Sequence, residues 1–327
     1  MNLFYKFMLL SIVTPFIITF IITTFLIKIL PKLNLVTIDY HKIHKPKIPF
    51  PGGLGISFSI ICSETILYFI FLDVKILIIL IITIITSIIG IIDDFKTFNA
   101  YSKPILLIFA AIPILFFTNT YDYNLHLIFG DIQISIIYPI LILIAISVTA
   151  NTINTIDILN GVFSGFTLLS FIPILLFLTL TSNFYMLIIV MPIVTSLLAF
   201  FIFHRYPSKI FPGDTGTLTI GALYGTIAIL TDLELLALIA IFPAILNSFL
   251  FIASSKGLKE FHQIKHRPVI MLPDGQLSAS KNPNSPITLL RLLLLNGPAS
   301  EKKLFNIIML IEIFAISLSI ITMLVIF

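Results

Sequence analysis

Residues 75–94 read KILIILIITIITSIIGIIDD, and their reading decides the fold. No charge interrupts the run between Lys75 and Asp93, and its apolar side chains occupy every face of a helix, not one stripe. Such a segment is surrounded by lipid or by other helices. Its length is close to the roughly 20 residues that cross a hydrocarbon core. Runs of the same kind recur outward from it, at about 5–29, 53–72, 75–92, 104–119, 135–152, 163–180, 184–203, 215–231, 234–253 and 304–326. They predict an all-α polytopic membrane protein with about ten transmembrane helices, in a single membrane-embedded domain over 1–327.

Composition agrees. The 327 residues are 58% hydrophobic and 10% charged, with mean hydropathy +1.14, whereas about a quarter of the residues of an ordinary soluble domain are charged. The net charge of +4 does not point to nucleic acid, because the basic residues fall between the apolar runs as topology signals and anion ligands. Cys62 is the only cysteine and lies inside a run, so no intrachain disulfide forms. The first run follows Lys6 but is too long for a signal-peptide core and lacks a small-residue cleavage site, which predicts a retained helix. Residues 287–295 are too short to span, carry Arg291 in their midst, and read as an interfacial helix.

Charge sets the expected orientation. If alternate loops are assigned to two sides, 17 of the 19 Lys and Arg residues fall on one, and only Lys6 and Lys75 on the other. Positive loops stay inside. The loops at about 30–52, 93–103, 151–162, 204–216 and 254–303 are therefore expected in the cytoplasm and both termini outside. The opposite loops carry Asp73, Asp122, Asp131, Asp232 and Glu234, and residues 120–134 can form a small hairpin there.

Four polar clusters meet the cytoplasmic boundary. Asp93-Asp94 end the third span and Lys103 opens the fourth; paired carboxylates there are costly without a cation, unless they are a solvated helix end. In NTINTIDILNG, residues 151–161, helical spacing would put Asn151, Asn154 and Asp157 on one face. Their oxygens are hard ligands of the kind Mg2+ takes; polar glue between helices is the competing reading. The Gly213-Asp214-Thr215-Gly216 turn lets backbone N–H groups approach an anion while Asp214 holds a metal, although Asp or Thr is also an ordinary helix cap. Lys265, His266 and Arg267, preceded by Lys256, Lys259 and His262, offer cations for a pyrophosphate, or merely a positive loop. His41 and His44, with Lys42, Lys45 and Lys47, read as solvated. Glu64 and Glu312 lie inside spans without an evident partner.

Pro51-Gly52-Gly53, Asp93-Asp94, the Asn/Asp segment, Phe211-Pro212-Gly213-Asp214 and the last loop, in that order, resemble the polyprenyl-phosphate N-acetylhexosamine-1-phosphate transferase family over nearly the whole chain. Residues 206–215, YPSKIFPGDT, His266-Arg267-Pro268 with Gly275-Gln276-Leu277-Ser278, and Gly297-Pro298 are similar to its eukaryotic and archaeal dolichyl-phosphate GlcNAc-1-phosphotransferase branch. The histidine-rich motif usual in bacterial members is absent, which speaks against a peptidoglycan precursor.

The resemblance implies that UDP-GlcNAc and a polyprenyl (dolichyl) phosphate give polyprenyl-diphosphate-GlcNAc and UMP, the first step of lipid-linked glycan assembly. It implies Mg2+, with Mn2+ as a substitute, on Asn154 and Asp214. Phe211 would stack on uracil, with Asn160 and Gly161 as the uracil-binding turn. Lys103 would lie near the lipid phosphate, His266 and Arg267 at the pyrophosphate and sugar, and Asp93 and Asp94 near the acceptor. Asp157 departs from the eukaryotic branch, and its catalytic role is the least defined. A homodimer is compatible with the family. The compact chain favours a plasma membrane, or the endoplasmic reticulum in a eukaryote. The rival readings are transfer of another UDP-N-acetylhexosamine, a catalytically silent scaffold, and an ion-coupled transporter, which would carry charges at mid-membrane and inverted repeats.

Overall fold

A computed structural model describes residues 2–117, 124–127, 130–133, 137–259 and 263–327. Asp122, His262, the end of the predicted span 104–119 and the start of 135–152 lie outside them.

The chain begins with α1 (Asn2–Ile29), a 3-10 turn (Leu30–Leu33) and the strands β1 (Val36–Ile38) and β2 (Lys47–Pro49). Helices α2 (Gly53–Phe71), α3 (Val74–Lys96) and α4 (Ser102–Phe117) follow, then strands β3 (Asn124–Leu127) and β4 (Gly130–Gln133). Next come α5 (Tyr138–Thr155), α6 (Val162–Ser170), α7 (Ile172–Leu180), α8 (Phe184–His204) and α9 (Gly213–Leu230). The last part holds α10 (Glu234–Ala240), α11 (Phe242–Ser255), β5 (Val269–Met271), β6 (Leu277–Ala279), α12 (Leu289–Leu293) and α13 (Glu301–Ile326).

In its described residues each of the ten predicted spans is helical, with a short break inside 163–180 and inside 234–253. Among the described residues, seven helical stretches are long and apolar enough to cross a membrane, α6 and α7 together being one. An eighth is counted if α10 and α11, bent by 66°, form one span. The breaks fall where Pro173 and Pro243 enter the first turn of α7 and α11, since proline cannot donate to the preceding turn. The strands make three small antiparallel hairpins, β1–β2, β3–β4 and β5–β6; β3–β4 is the hairpin expected within 120–134.

Helix α9 is the axis. Every residue from Thr215 to Leu230 is buried, and the helix packs on α2, α3 and α5. Its Gly and Thr content makes it less apolar than its neighbours, and the packing gives the reason: small residues admit close helix approach, and helices instead of lipid surround it. The tightest contact joins Gly53 of α2 to Gly216, where a Cβ on Gly53 would lie 2.1 Å from the Gly216 nitrogen.

Two interior carboxyls differ in their partners. Glu312 accepts from Ser170 Oγ at 2.7 Å, whereas Glu64 is fully buried with no hydrogen-bond partner at either oxygen. The expected interfacial helix is α12, one short turn whose Leu289 and Leu290 are buried. Arg291 in it donates to the backbone carbonyls of Ser280, Asn282 and Pro286, and to that of Ser285, so it folds the preceding loop.

Candidate active site

The site forms where the N-terminus of α9 meets the C-terminus of α3. Asp94, near the end of α3, acts as the cap of α9: its Oδ1 accepts the Asp214 N–H at 2.7 Å. Its Oδ2 accepts the Thr215 N–H at 3.0 Å and the Thr215 hydroxyl at 2.5 Å. Helix N-termini leave N–H groups unpaired, and a carboxylate there also opposes the positive end of the dipole. Gly213, with φ +69°, makes the turn; a Cβ on it would meet the Asp94 carboxylate at 2.7 Å.

Asp93 and Asp214 converge on one ammonium. Lys103 Nζ lies 2.5 Å from Asp93 Oδ2 and 2.9 Å from Asp214 Oδ2, and Asp93 Oδ1 also accepts the Phe98 N–H at 2.6 Å. Asp93 and Lys103 are buried, while Asp214 keeps a quarter of its side chain exposed to the cavity. One turn along α9, the Thr217 hydroxyl donates to Asn154 Oδ1 at 2.8 Å, drawing the end of α5 to the same floor.

The predicted single face of Asn151, Asn154 and Asp157 does not form. Helix α5 ends at Thr155, so Asp157 sits in the following turn, its N–H bonded to the Asn154 carbonyl at 3.3 Å. Asn151 donates to Ser147 in its own helix. Burial lifts the Asp157 carboxyl to about 7, against a lowering hydrogen bond from the Phe163 backbone. Its neighbour is His204, whose Nε2 lies 3.6 Å from Asp157 Oδ1 and whose Nδ1 contacts Ser164 Oγ at 2.8 Å. The His204 ring is buried among Phe163, Phe200 and Phe211.

Phe211 is held from the other side. Its N–H donates to the Pro49 carbonyl at 3.0 Å, its carbonyl accepts from Gly52 at 2.7 Å, and Gly53 N–H donates to the Pro212 carbonyl at 2.7 Å. The Pro-Gly-Gly and Phe-Pro-Gly-Asp motifs are thus one stitched unit.

Nine of the eleven residues expected in the site line one cavity of about 1200 Å3: Asp93, Asp94, Lys103, Asn154, Asp157, Asn160, Phe211, Asp214 and Arg267. Two do not. Gly161 opens α6 behind the wall at φ +83°. His266 is exposed, one residue before Arg267, outside the lining.

Two expectations change. The first loop is solvated only in part: His44, Lys45 and Lys47 are exposed, as expected, but His41 and Lys42 are half-buried, and Thr37, Asp39, Tyr40, His41 and Lys45 line the cavity. Lys42 pairs with Glu301 and lies 3.9 Å over the Tyr206 ring. Burial lowers the pKa of His41, although Glu301 and Asp39 pull the other way. Arg267 lies 3.6 Å over the Tyr40 ring, so the loop and the last hairpin hold each other. The second concerns Asp94. Both its oxygens are bonded to α9, a placement suited to aiming Asp214 more than to handling an acceptor proton.

Asp39, Asn247 and Glu301 were not singled out by the sequence, and His204 only as the first residue of the polar stretch that leads to Asp214. Asn247 of the bent α11 donates to the Thr155 carbonyl at 3.0 Å and accepts from Leu289 at 2.9 Å. The cavity's side there is lined by Ile158, Phe251 and Leu290.

The floor can take a divalent cation. Asp93 and Asp214 share the one Lys103 ammonium, which formally leaves one negative charge on the pair. Asp214 and Asn154 offer the hard oxygens that Mg2+ takes in ones or twos, completing its shell with substrate phosphates and water.

Comparison with known proteins completes the picture. The glycosyl transferase family 4 profile matches residues 76–232. A Saccharolobus solfataricus protein, provisionally named a UDP-N-acetylglucosamine–dolichyl-phosphate N-acetylglucosaminephosphotransferase, is 32% identical over 68% of this chain and 70% of its own length. A provisionally named glycosyltransferase of Methanocaldococcus jannaschii is 29% identical over 93% of this chain and 94% of its own. A phospho-N-acetylmuramoyl-pentapeptide-transferase of a Geobacillus species is 28% identical over 71% of this chain and 78% of its own.

Proposed function

Because this chain belongs to glycosyl transferase family 4, we propose that it transfers N-acetylglucosamine 1-phosphate from UDP-N-acetylglucosamine to a polyprenyl phosphate of the dolichyl type, releasing UMP. The observation that carries the reading is the bridging of Asp93 and Asp214 by Lys103 on the floor of a cavity that also holds Asn154, Phe211 and Arg267. It combines metal ligands, cations for phosphates and an aromatic face for a base.

In the reaction, an oxygen of the lipid phosphate attacks the phosphorus that bears the sugar, and the bond from that phosphorus to the bridging oxygen breaks, so UMP leaves with the electron pair. The acceptor needs no strong base, since a phosphate monoester has its second pKa near ~6 and is already ionised at neutral pH. Asp94 therefore works by holding the α9 N-terminus, and through it Asp214. Lys103 and Arg267 offset phosphate charge, and alignment supplies most of the remainder. A bound Mg2+ on Asp214 and Asn154 would neutralise the pyrophosphate and the departing UMP. The apolar side formed by Ile158, Phe251 and Leu290 suits the first prenyl units of the acceptor. With the basic loops inside, the reaction faces the cytoplasm.

Purified protein given UDP-GlcNAc, a polyprenyl phosphate and Mg2+ is expected to release UMP, and to stop when EDTA is added. Asp214→Asn, which keeps the size of the side chain, should lose roughly 100-fold or more in kcat with an unchanged melting temperature. An active wild type with a fully active Asp214→Asn would remove Asp214 from the mechanism. Silence with every UDP-N-acetylhexosamine would end the enzymatic reading.

A further inference from the structure

Asn160 sits in the cavity wall with its amide bound on both ends. Its Nδ2 donates to Asp39 Oδ2 at 3.1 Å and to Glu301 Oε1, and its backbone N–H donates to the same Glu301 oxygen at 3.0 Å. Its Oδ1 accepts the Ser208 N–H at 2.9 Å. Asp39, Asn160 and Glu301 are all buried, and Lys42 pairs with Glu301 on its other oxygen.

An asparagine amide can usually be turned over, exchanging its oxygen and nitrogen. This one cannot. Carboxylates only accept and a backbone N–H only donates. The reversed amide would set its oxygen against two carboxylates and its NH2 against a donor. Both N–H bonds are consumed by the acids, and what remains for the cavity is the second lone pair of Oδ1. Asn160 therefore meets a ligand as a fixed acceptor. Ser208, which holds that oxygen, lies three residues before Phe211, so the acceptor is tied to the short segment that carries the aromatic face.

We infer that Asp39 and Glu301 determine base specificity, by holding Asn160 as an acceptor for the imide N3–H of uracil. The inference rests on the reading that this cavity takes a uridine nucleotide. Cytosine carries an acceptor at N3, which would face the Asn160 oxygen and leave two acceptors unpaired in a buried place. A site built around a hydrogen bond rejects an analogue that cannot make it far more strongly than an apolar pocket could. Neither acid needs to touch the nucleotide, so both are positioning residues.

The test is calorimetric binding of UDP, CDP and N3-methyl-UDP to the purified full chain with Mg2+ present. Wild type is expected to bind UDP roughly tenfold or more tightly than either analogue. In Asp39→Asn/Glu301→Gln both carboxylates become amides that can donate or accept, so of the contacts that fix the Asn160 amide only the Ser208 N–H still opposes its turning. The ratio of UDP to CDP affinity should then fall below about threefold, chiefly through tighter CDP binding. A folded double variant that keeps the full ratio would overturn the inference. So would a wild type that binds N3-methyl-UDP or CDP as well as UDP, a result that needs no variant to fold. A wild type that binds none of the three contradicts the proposed function itself, a distinguishable failure.

Discussion

Asp157 shows how a single half-buried acid writes itself into the stability of the protein. Its carboxyl titrates at about 7 in the folded chain because burial disfavours the charge, against about 3.9 in an unfolded one. The folded state therefore holds the proton longer, and the ionised group costs stability. That cost begins as pH rises past the unfolded value and is complete above the folded one. Asp157→Asn removes it. Thermal melts of the purified protein are expected to show the variant gaining on wild type from about pH 4 upward, with the gain levelling off above about 7. A gain independent of pH would mean that Asp157 is not the group responsible. His204 beside it marks what local pattern hides: a histidine ending an apolar span looks like a topology marker, and only folding shows it bound to Ser164 among three phenylalanine rings.

At the scale of elements, the site depends on how closely α2 and α3 approach the start of α9. Gly53 would put a Cβ 2.1 Å from the Gly216 nitrogen and 2.4 Å from its Cα, and Gly90 one 2.5 Å from the Thr215 Cα. Backbone atoms cannot yield as a side-chain tip can. Gly53→Ala is expected to destabilise by about 3 kcal/mol, the upper end for overpacking, and to lower kcat as well, because the displaced turn carries Asp214. A melting temperature and turnover both unchanged would contradict this packing. The spans themselves were legible in the sequence, since uninterrupted apolar runs bounded by charges have few other solutions. Even α9 was found, although its Gly and Thr residues answer to neighbouring helices. The end of α5 was not: a spacing of three from Asn151 to Asp157 reads as helix, and only the hydrogen bond of Asp157 N–H to the Asn154 carbonyl ends it.

For the whole molecule, the parts of the site that carry their own local motif were readable, and the parts that hold the motifs together were not. Asp93, Lys103, Asn154 and Asp214 announce themselves as polar groups at span ends, and Phe211 by the Phe-Pro-Gly-Asp run it opens. Asp39 and Glu301 lie 262 positions apart in sequence and meet on Asn160 and Lys42. Nothing local to either predicts the other. The same long-range closure makes the first loop, with Tyr40 beneath Arg267, part of the cavity wall. Its consequence is a single divided site fed by loops from both ends of the chain, built to move a sugar together with its phosphate.

That claim is tested most directly with UDP-GlcNAc labelled with 3H in the sugar and 32P in the β-phosphate, incubated with the purified protein, Mg2+ and a polyprenyl phosphate. Both labels are expected in the extracted lipid in a one-to-one ratio, with unlabelled UMP in the aqueous phase. Tritium in the lipid with the 32P left behind in UDP would contradict the account, since the enzyme would then transfer the sugar alone.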